Sequence, residues 1–184
     1  NNKKQLDLFP YEVRFLRAFF HFELLKRYGN IVIVDKSLGM DEANEVDQSS
    51  FDDVVGWIVA ECDTAAQKLP LTYADTYEKE LGRATKGAAL ALKARVLLYA
   101  ASPLNNPSGD KSKWEDAAVA AKEVMDLNAY ELVQEDIFNN ADAKDLIMGI
   151  RYADDASFEL ANFPMGYFGG SSGVNPSQNL AEAF

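Results

Sequence analysis

The chain has 184 residues, 48% of them hydrophobic, and a formal net charge of −11 at pH 7. That length is sufficient for one domain with a buried core. So acidic a chain is poorly suited to binding a nucleic-acid backbone as its main role. The single cysteine, Cys62, excludes an internal disulfide and a Cys-x-x-Cys metal site, and we expect it to be a small core residue.

The first predicted helix runs from about Tyr11 to Tyr28 and follows Pro10, which suits a first helical turn. Gly29 is placed to end this helix in the left-handed conformation that glycine adopts readily. We expect five large apolar side chains of the helix to pack inward. They are Phe15, Leu16, Phe19, Phe20 and Leu24.

Arg14, Arg17 and His21 are spaced to line one polar edge of the same helix. We expect His21 to be solvated there, since no serine or cysteine in the sequence is an obvious partner for it. Residues 31–34 are predicted to be a short extended piece, and residues 35–47 an acidic surface connection. Its carboxylates lack the spacing and the glycine of an EF-hand, so we expect no metal there, and a bound Ca²⁺ or Na⁺ is the alternative.

The second predicted helix begins after Ser49 or Ser50, whose hydroxyl can cap it, and ends near Leu69 before Pro70. Its apolar residues recur at helical spacing and form a single stripe, which is typical of a one-sided amphipathic helix. The stripe comprises Val54, Val55, Ile58, Val59, Cys62, Ala65, Ala66 and Leu69.

A third helix is predicted from Ala84 to Ala101, with Thr85 as its N-cap and Pro103 enforcing its end. Apolar residues fall on almost every side of this helix, and many of them are alanines. A helix of this kind is usually buried, so we expect it to have partners on two faces.

A last helix is predicted from near Trp114 to Leu127. Two antiparallel helix pairs with small residues at their contacts indicate tetratricopeptide-like packing, although the 34-residue consensus is absent. The predicted fold is therefore mainly α: a tetratricopeptide-like helix-pair scaffold with long loops and a few short strands. We expect a helical region over residues 1–128 and a loop-rich region with short strands, at 130–132 and 145–152, over residues 129–184.

Three segments carry a resemblance to a known family. The stretch from Gly82 to Leu104, GRATKGAALALKARVLLYAASPL, closely resembles the hallmark of the SusD/RagB family. The stretch from Glu12 to Gly29 and the turn at residues 175–180, NPSQNL, are similar to further segments of that family in the same order. The family consists of surface lipoproteins of Bacteroidota that capture glycans, or sometimes peptides, for an outer-membrane transporter.

The resemblance implies a non-catalytic protein that binds an oligosaccharide and delivers it to a SusC-like TonB-dependent transporter. It implies an outer-membrane, surface-exposed location through a lipid anchor that this chain lacks, since the sequence has no signal peptide, lipobox cysteine or transmembrane span. The chain would then be an internal piece of a longer protein. We expect no enzyme activity, no cofactor and no nucleic-acid partner.

The alternative is a helical interaction module that docks on the transporter while the glycan or peptide site lies outside this chain. A glycoside hydrolase is a third class, but no pair of carboxylates in the sequence suggests one. Within the family signature Arg83, Thr85, Lys86 and Arg95 are expected to be structural. We expect Arg95, a charge on an apolar helix, to need a carboxylate or carbonyl partner.

Candidate glycan contacts are aromatic rings, which stack on the flat faces of sugars, and an amide that hydrogen-bonds their hydroxyl groups. These residues lie in glycine-rich or tyrosine-bearing loops, where binding groups are often carried. Packing of the same rings onto the helices is the alternative that the sequence leaves open. The candidates are Phe163, Tyr167, Phe168, Asn175, Tyr73 and Tyr77.

Overall fold

The structure is a computed structural model that describes residues 2–73, 82–132 and 144–149. The described residues lie in one compact unit, which comprises Asn1–Gly149. Within the described residues the regular elements are helices, together with an isolated bridge between Ile31 and Ser49. The helices are α1 (Asn2–Tyr28), α2 (Met40–Glu45), α3 (Phe51–Ala66), α4 (Lys86–Ala101) and α5 (Lys111–Met125).

The long helices pack in a linear order, each against the next: α1 against α3, α3 against α4, and α4 against α5. The central helix α4 therefore has partners on two faces, as its apolar character predicts. Small residues at its buried positions allow the neighbouring helices to approach closely. These are Gly87, Ala88, Ala89, Ala100 and Ala101. The prediction of a mainly helical fold is confirmed.

A single apolar core runs through α1, α3 and α4. Burying each of its large side chains contributes about 1.5–3 kcal/mol. The predicted stripe of α3 is confirmed, because all of its members are buried except Val59, which is partly buried. The largest fully buried side chains are Phe15, Phe22, Leu25, Ile58, Val54, Val96 and Cys62.

Three predicted helix ends are confirmed in detail. The Ser50 hydroxyl accepts a hydrogen bond from the Asp53 backbone N–H at 3.2 Å, and the Thr85 hydroxyl accepts one from the Ala88 N–H at 3.1 Å. Gly29 adopts φ +73° after the end of α1, where residues other than glycine are strained. These caps are local interactions, which is why the sequence alone predicts them.

Helix α1 differs from its prediction in two respects. It begins at Asn2, so Pro10 lies inside the helix rather than at its start. Its buried face is formed by Phe15, Ala18, Phe22 and Leu25, with Phe19 partly buried. The inward packing predicted for the other three side chains is wrong, since all three are exposed: Leu16, Phe20 and Leu24.

Two connections also differ from expectation. The acidic segment at residues 35–47 contains a short helix, α2, whose Glu42 carboxylate accepts a hydrogen bond from the Gly39 N–H at 3.0 Å. That hydrogen bond is the main cause that lowers the pKa of Glu42, and a second hydrogen bond, from Lys36, lowers it further. Residues 130–132 form no strand, nor do residues 145–149, the described part of the second predicted strand.

Candidate functional site

Tyr73 is the one sequence-predicted ligand residue that falls within the described part of the chain. Its ring is 5% exposed, and its hydroxyl lies 2.8 Å from Glu12 Oε1 and 3.1 Å from the Ala84 carbonyl oxygen. The Arg83 guanidinium stacks over the ring at 4.5 Å and also donates to Glu12 Oε1 at 2.8 Å. A ring enclosed in this way offers no open face to a sugar, so here Tyr73 links α1 to the start of α4.

The other five candidates lie outside the described residues, and their role as glycan contacts stays a prediction. They are Tyr77, Phe163, Tyr167, Phe168 and Asn175.

His21 is buried rather than solvated, which corrects the expectation from the sequence. Its Nε2 accepts a hydrogen bond from the Val34 backbone N–H at 3.1 Å, and its Nδ1 lies 2.8 Å from the Arg17 carbonyl oxygen. Because a backbone N–H can only donate, these partners assign the proton to Nδ1 and leave the ring neutral. Both nitrogens are occupied, and the ring packs on Trp57 at 4.6 Å, so His21 holds the segment after α1 in place.

Two arginines of α1 form ion pairs with a buried carboxylate on α3. Glu61 Oε1 lies 2.5 Å from Arg14 Nη1, and its Oε2 accepts from Arg17 Nε at 3.1 Å and from Arg17 Nη2 at 2.5 Å. Arg17 also donates to the Asp35 carbonyl oxygen at 2.8 Å. This cluster is structural, because the two guanidinium groups occupy both oxygens of the buried Glu61 carboxylate. In the sequence, this cluster is indicated by the position of Glu61, which lies between Ile58 and Cys62 of the apolar stripe.

A groove lies between α4 and α5 and is open to solvent. Its volume is about 310 Å³, and we call it the α4–α5 groove. Trp114 and Leu98 are 45% and 53% exposed there. Arg95 is exposed as well, because α4 turns this side chain outward, so the expectation of a buried charge that needs a carboxylate or carbonyl partner is wrong. The lining residues are Ala94, Arg95, Leu98, Trp114, Ala117, Ala118 and Ala121.

The alanines of both helices line the groove, and their short side chains leave space between the larger side chains. An aromatic ring, an aliphatic side chain and one guanidinium are the groups it presents. Such a surface suits an apolar or aromatic partner better than a highly charged one.

Reactive groups are scarce in the described ranges. No three metal-ligating side chains cluster within 2–73, 82–132 and 144–149. Burial raises the pKa of the Cys62 thiol to about 12, with smaller contributions from the negative charges of Asp63 and Glu61. The thiol is therefore protonated at neutral pH and is no nucleophile. None of the helices seen here combines the length and apolar character needed to cross a bilayer.

Comparison with known proteins places these helices in a family. A family model described as "Starch-binding associating with outer membrane", SusD-like, matches residues 2–98. A SusD-like protein from Bacteroides fragilis superposes with a TM-score of 0.63 and 37% identity, over 78% of this chain and 27% of that one. A SusD homolog from Bacteroides thetaiotaomicron superposes with a TM-score of 0.58 and 33% identity, over 71% of this chain and 24% of that one.

A third structure, a SusD-like carbohydrate binding protein from Bacteroides fragilis, is 32% identical with a TM-score of 0.55, over 66% of this chain and 21% of that protein. No curated protein matches the chain. The chain thus spans about a quarter of the length of these three structures. The family match covers α1, α2, α3 and most of α4, and the chain therefore belongs to the SusD/RagB family.

Proposed function

We propose that this protein captures oligosaccharides at the outer membrane and delivers them to a SusC-like TonB-dependent transporter. The observation that carries the proposal is the family match over residues 2–98, whose description names starch binding and association with the outer membrane. One similar structure is itself described as a carbohydrate binding protein. The described helices support a binding role, since they supply a rigid scaffold and open surfaces.

In this proposal the helices position the loops, and the loops contact the sugar. Glu12 on α1 bonds both Tyr73 and Arg83, which precede and follow Tyr77 in the sequence. Aromatic rings would stack on sugar faces while the Asn175 amide bonds hydroxyl groups. The rings concerned are Tyr77, Phe163, Tyr167 and Phe168.

The net charge of −11 favours neutral or cationic ligands over acidic ones. Neutral glucans and other uncharged oligosaccharides are therefore the first probes to use. Sulfated and uronic-acid-rich glycans are negatively charged, so this charge disfavours their binding.

The test is a glycan-array screen of the full-length protein, followed by calorimetry with the best neutral oligosaccharide. We expect binding that is lost in the double variant Tyr167→Ala, Phe168→Ala while the folded state is retained. Absence of binding to any glycan by the full-length protein would contradict the proposal. Binding that is unchanged in the double variant would place the contact elsewhere and overturn the assignment of these rings.

A second candidate function is supported by a different observation, the exposed α4–α5 groove. In this alternative the helices are an interaction module that docks on the transporter, while the ligand site, for a glycan or a peptide, lies outside these 184 residues. Trp114→Ala should then weaken co-purification with the transporter without changing glycan affinity. Val119→Ala is the matched control, because Val119 is an exposed apolar residue of α5 that does not line the groove.

We also propose that the full-length protein is held at the cell surface by a lipid anchor. Protease added to intact cells should then cleave it, whereas a periplasmic protein would be protected. Cleavage only after the outer membrane is opened would contradict a surface location.

A further inference from the structure

Two side chains of α1 hold the backbone of the segment that follows the helix. We call residues 31–38 the connecting segment. The Val34 backbone N–H donates to His21 Nε2 at 3.1 Å, and the Arg17 guanidinium donates to the Asp35 carbonyl oxygen at 2.8 Å. The connecting segment is therefore attached to α1 through two neighbouring peptide groups.

Of these two attachments, the one at His21 depends on the charge of the side chain. The ring carries its proton on Nδ1, which lies 2.8 Å from the Arg17 carbonyl oxygen, and this leaves a lone pair on Nε2 for the Val34 N–H. A protonated imidazole has a hydrogen on both nitrogens and accepts no hydrogen bond. Protonation of His21 would therefore set two donors against each other, and the bond to Val34 would be lost.

The charges closest to His21 also disfavour a further positive charge. On its own helix, Arg14 and Arg17 lie two turns and one turn before it, and both bind Glu61 of α3. Two guanidinium groups and one carboxylate leave one net positive charge in this cluster. Since the cluster is partly buried, solvent screens this charge less than it would on an open surface.

The other groups around the ring do not offset that charge. Trp57 of α3 packs on His21 at 4.6 Å and is uncharged. In the connecting segment Asp35 and Lys36 are both exposed, and Lys36 pairs with Glu42 at 3.2 Å. Exposed charges of this kind act weakly because water and salt screen them.

We infer that His21 is a pH-sensitive latch: the neutral ring holds the connecting segment on α1, and protonation in mild acid releases it. The release is local, because the Ser49 N–H donates to the Ile31 carbonyl oxygen at 2.8 Å and keeps the start of the segment in place. Residues 34–38 also form one side of an open groove of about 470 Å³, opposite Val13 and Arg17. Opening the latch therefore changes the shape of this groove.

Hydrogen exchange of the full-length protein at about pH 7.5 and about pH 5.5 tests the latch, because histidine changes its charge in this range and carboxylates generally titrate below it. Results are compared as protection factors, which remove the direct effect of pH on the exchange chemistry. We expect the protection of the Val34 amide to fall about tenfold, since only the open state exposes the ring and lets it take up a proton. The amide of Val96, in the core of α4, should keep its protection.

His21→Gln is the matched variant, because the glutamine amide oxygen can accept from the Val34 N–H and does not titrate. In this variant the protection of Val34 should be the same at both pH values. The charge of the ring is followed directly by NMR, with the His21 signals assigned by their loss in His21→Gln. Protonation of the ring should accompany the loss of protection at Val34.

Four results would overturn the latch. An equal fall in protection in His21→Gln would mean that another group is responsible. A ring that becomes protonated while Val34 stays protected would show that the bond does not depend on its charge. A ring that stays neutral at about pH 5.5 would show that mild acid does not operate it. A fall that includes Val96 would be global loosening in acid. The wild-type measurements alone decide the last three.

Discussion

The phenol ring of Tyr130 rests on the backbone of Gly87, in the space that a side-chain carbon would occupy. A Cβ built at Gly87 would lie 2.6 Å from Tyr130 Cζ and 2.7 Å from Cε2, and it would overlap the hydroxyl oxygen. This contact joins the segment after α5 to the first turn of α4. The glycine in the family signature is therefore required by close packing rather than by an unusual backbone angle.

The first prediction concerns this contact. Gly87→Ala should lower the free energy of unfolding by about 1–3 kcal/mol, because the ring of Tyr130 must be displaced. Urea denaturation measures the change. The double variant Gly87→Ala, Tyr130→Ala should lose less than the two single changes added together, since the clash is gone once the ring is removed.

Gly56 in α3 is the matched control for that substitution. A Cβ there meets nothing within 4 Å, and the position is exposed. Gly56→Ala should therefore raise the free energy of unfolding by about 0.5–1 kcal/mol through helix propensity alone. If both alanine variants behaved alike, the close approach of Tyr130 to Gly87 would be refuted.

The second prediction concerns the buried carboxylate of Glu61. Glu61→Gln should destabilise the protein by about 1–3 kcal/mol, because Arg14 and Arg17 lose the charge that compensates them. The partial exposure of Arg14 keeps the expected loss below that of a fully buried pair. Glu115→Gln on the exposed face of α5 should change stability by no more than about 0.5 kcal/mol. Equal urea midpoints for the two variants would show that the cluster contributes nothing.

The third prediction concerns the pH dependence caused by Cys62. The unfolded thiol ionises near pH ~8.5, whereas burial raises its pKa in the folded state to about 12. Between these values only the unfolded chain releases the proton. The stability that the neutral thiol contributes is therefore complete below the lower pKa and falls as pH rises towards the higher one.

Comparison with Cys62→Ala isolates this effect from other groups that titrate in base. The difference in unfolding free energy between wild type and Cys62→Ala should shrink by about 2 kcal/mol between neutral pH and about pH 10. Urea titrations at several pH values measure it. A difference that stays constant with pH would mean that the thiol ionises as readily in the folded protein as in the unfolded chain.

The fourth prediction concerns Lys93, which bonds Asp63 on α3 at 2.8 Å and Glu123 on α5 at 2.9 Å. Partial burial disfavours its charged form, but the hydrogen bonds to the two carboxylates outweigh burial, and the pKa of Lys93 is raised. Lys93→Met should cost about 1 kcal/mol of unfolding free energy, because the partners are themselves partly exposed. Lys68→Met, at an exposed position, is the control in the same thermal or urea assay. A loss no greater than in the control would contradict the role of Lys93.

Features of the fold that depend on neighbouring residues were predictable from the sequence. The caps at Ser50 and Thr85 and the stripe of α3 are examples, since each is decided within a few residues. The inward face of α1 was not predictable, because α1 is apolar on two sides and periodicity cannot tell which side meets α3. The buried state of His21 was missed because its partner Val34 belongs to a different segment.

The candidate site was predictable only in part. Tyr73 was selected as an aromatic residue in a loop, but its burial depends on Glu12, which lies 61 residues away in the chain. Arg95 was expected to be buried on an apolar helix, yet it is exposed and lines the α4–α5 groove. Long-range contacts of this kind leave little trace in local sequence.

Hydrogen exchange of the full-length protein, with and without the neutral oligosaccharide that binds best on the array, tests the central claim most directly. The account predicts that the sugar slows exchange in the residues around Tyr167 and Phe168 and leaves the core of α3 and α4 unchanged. Protection centred on the helices, with no change around Tyr167 and Phe168, would contradict the proposal that the helices are scaffold and that these rings contact the sugar.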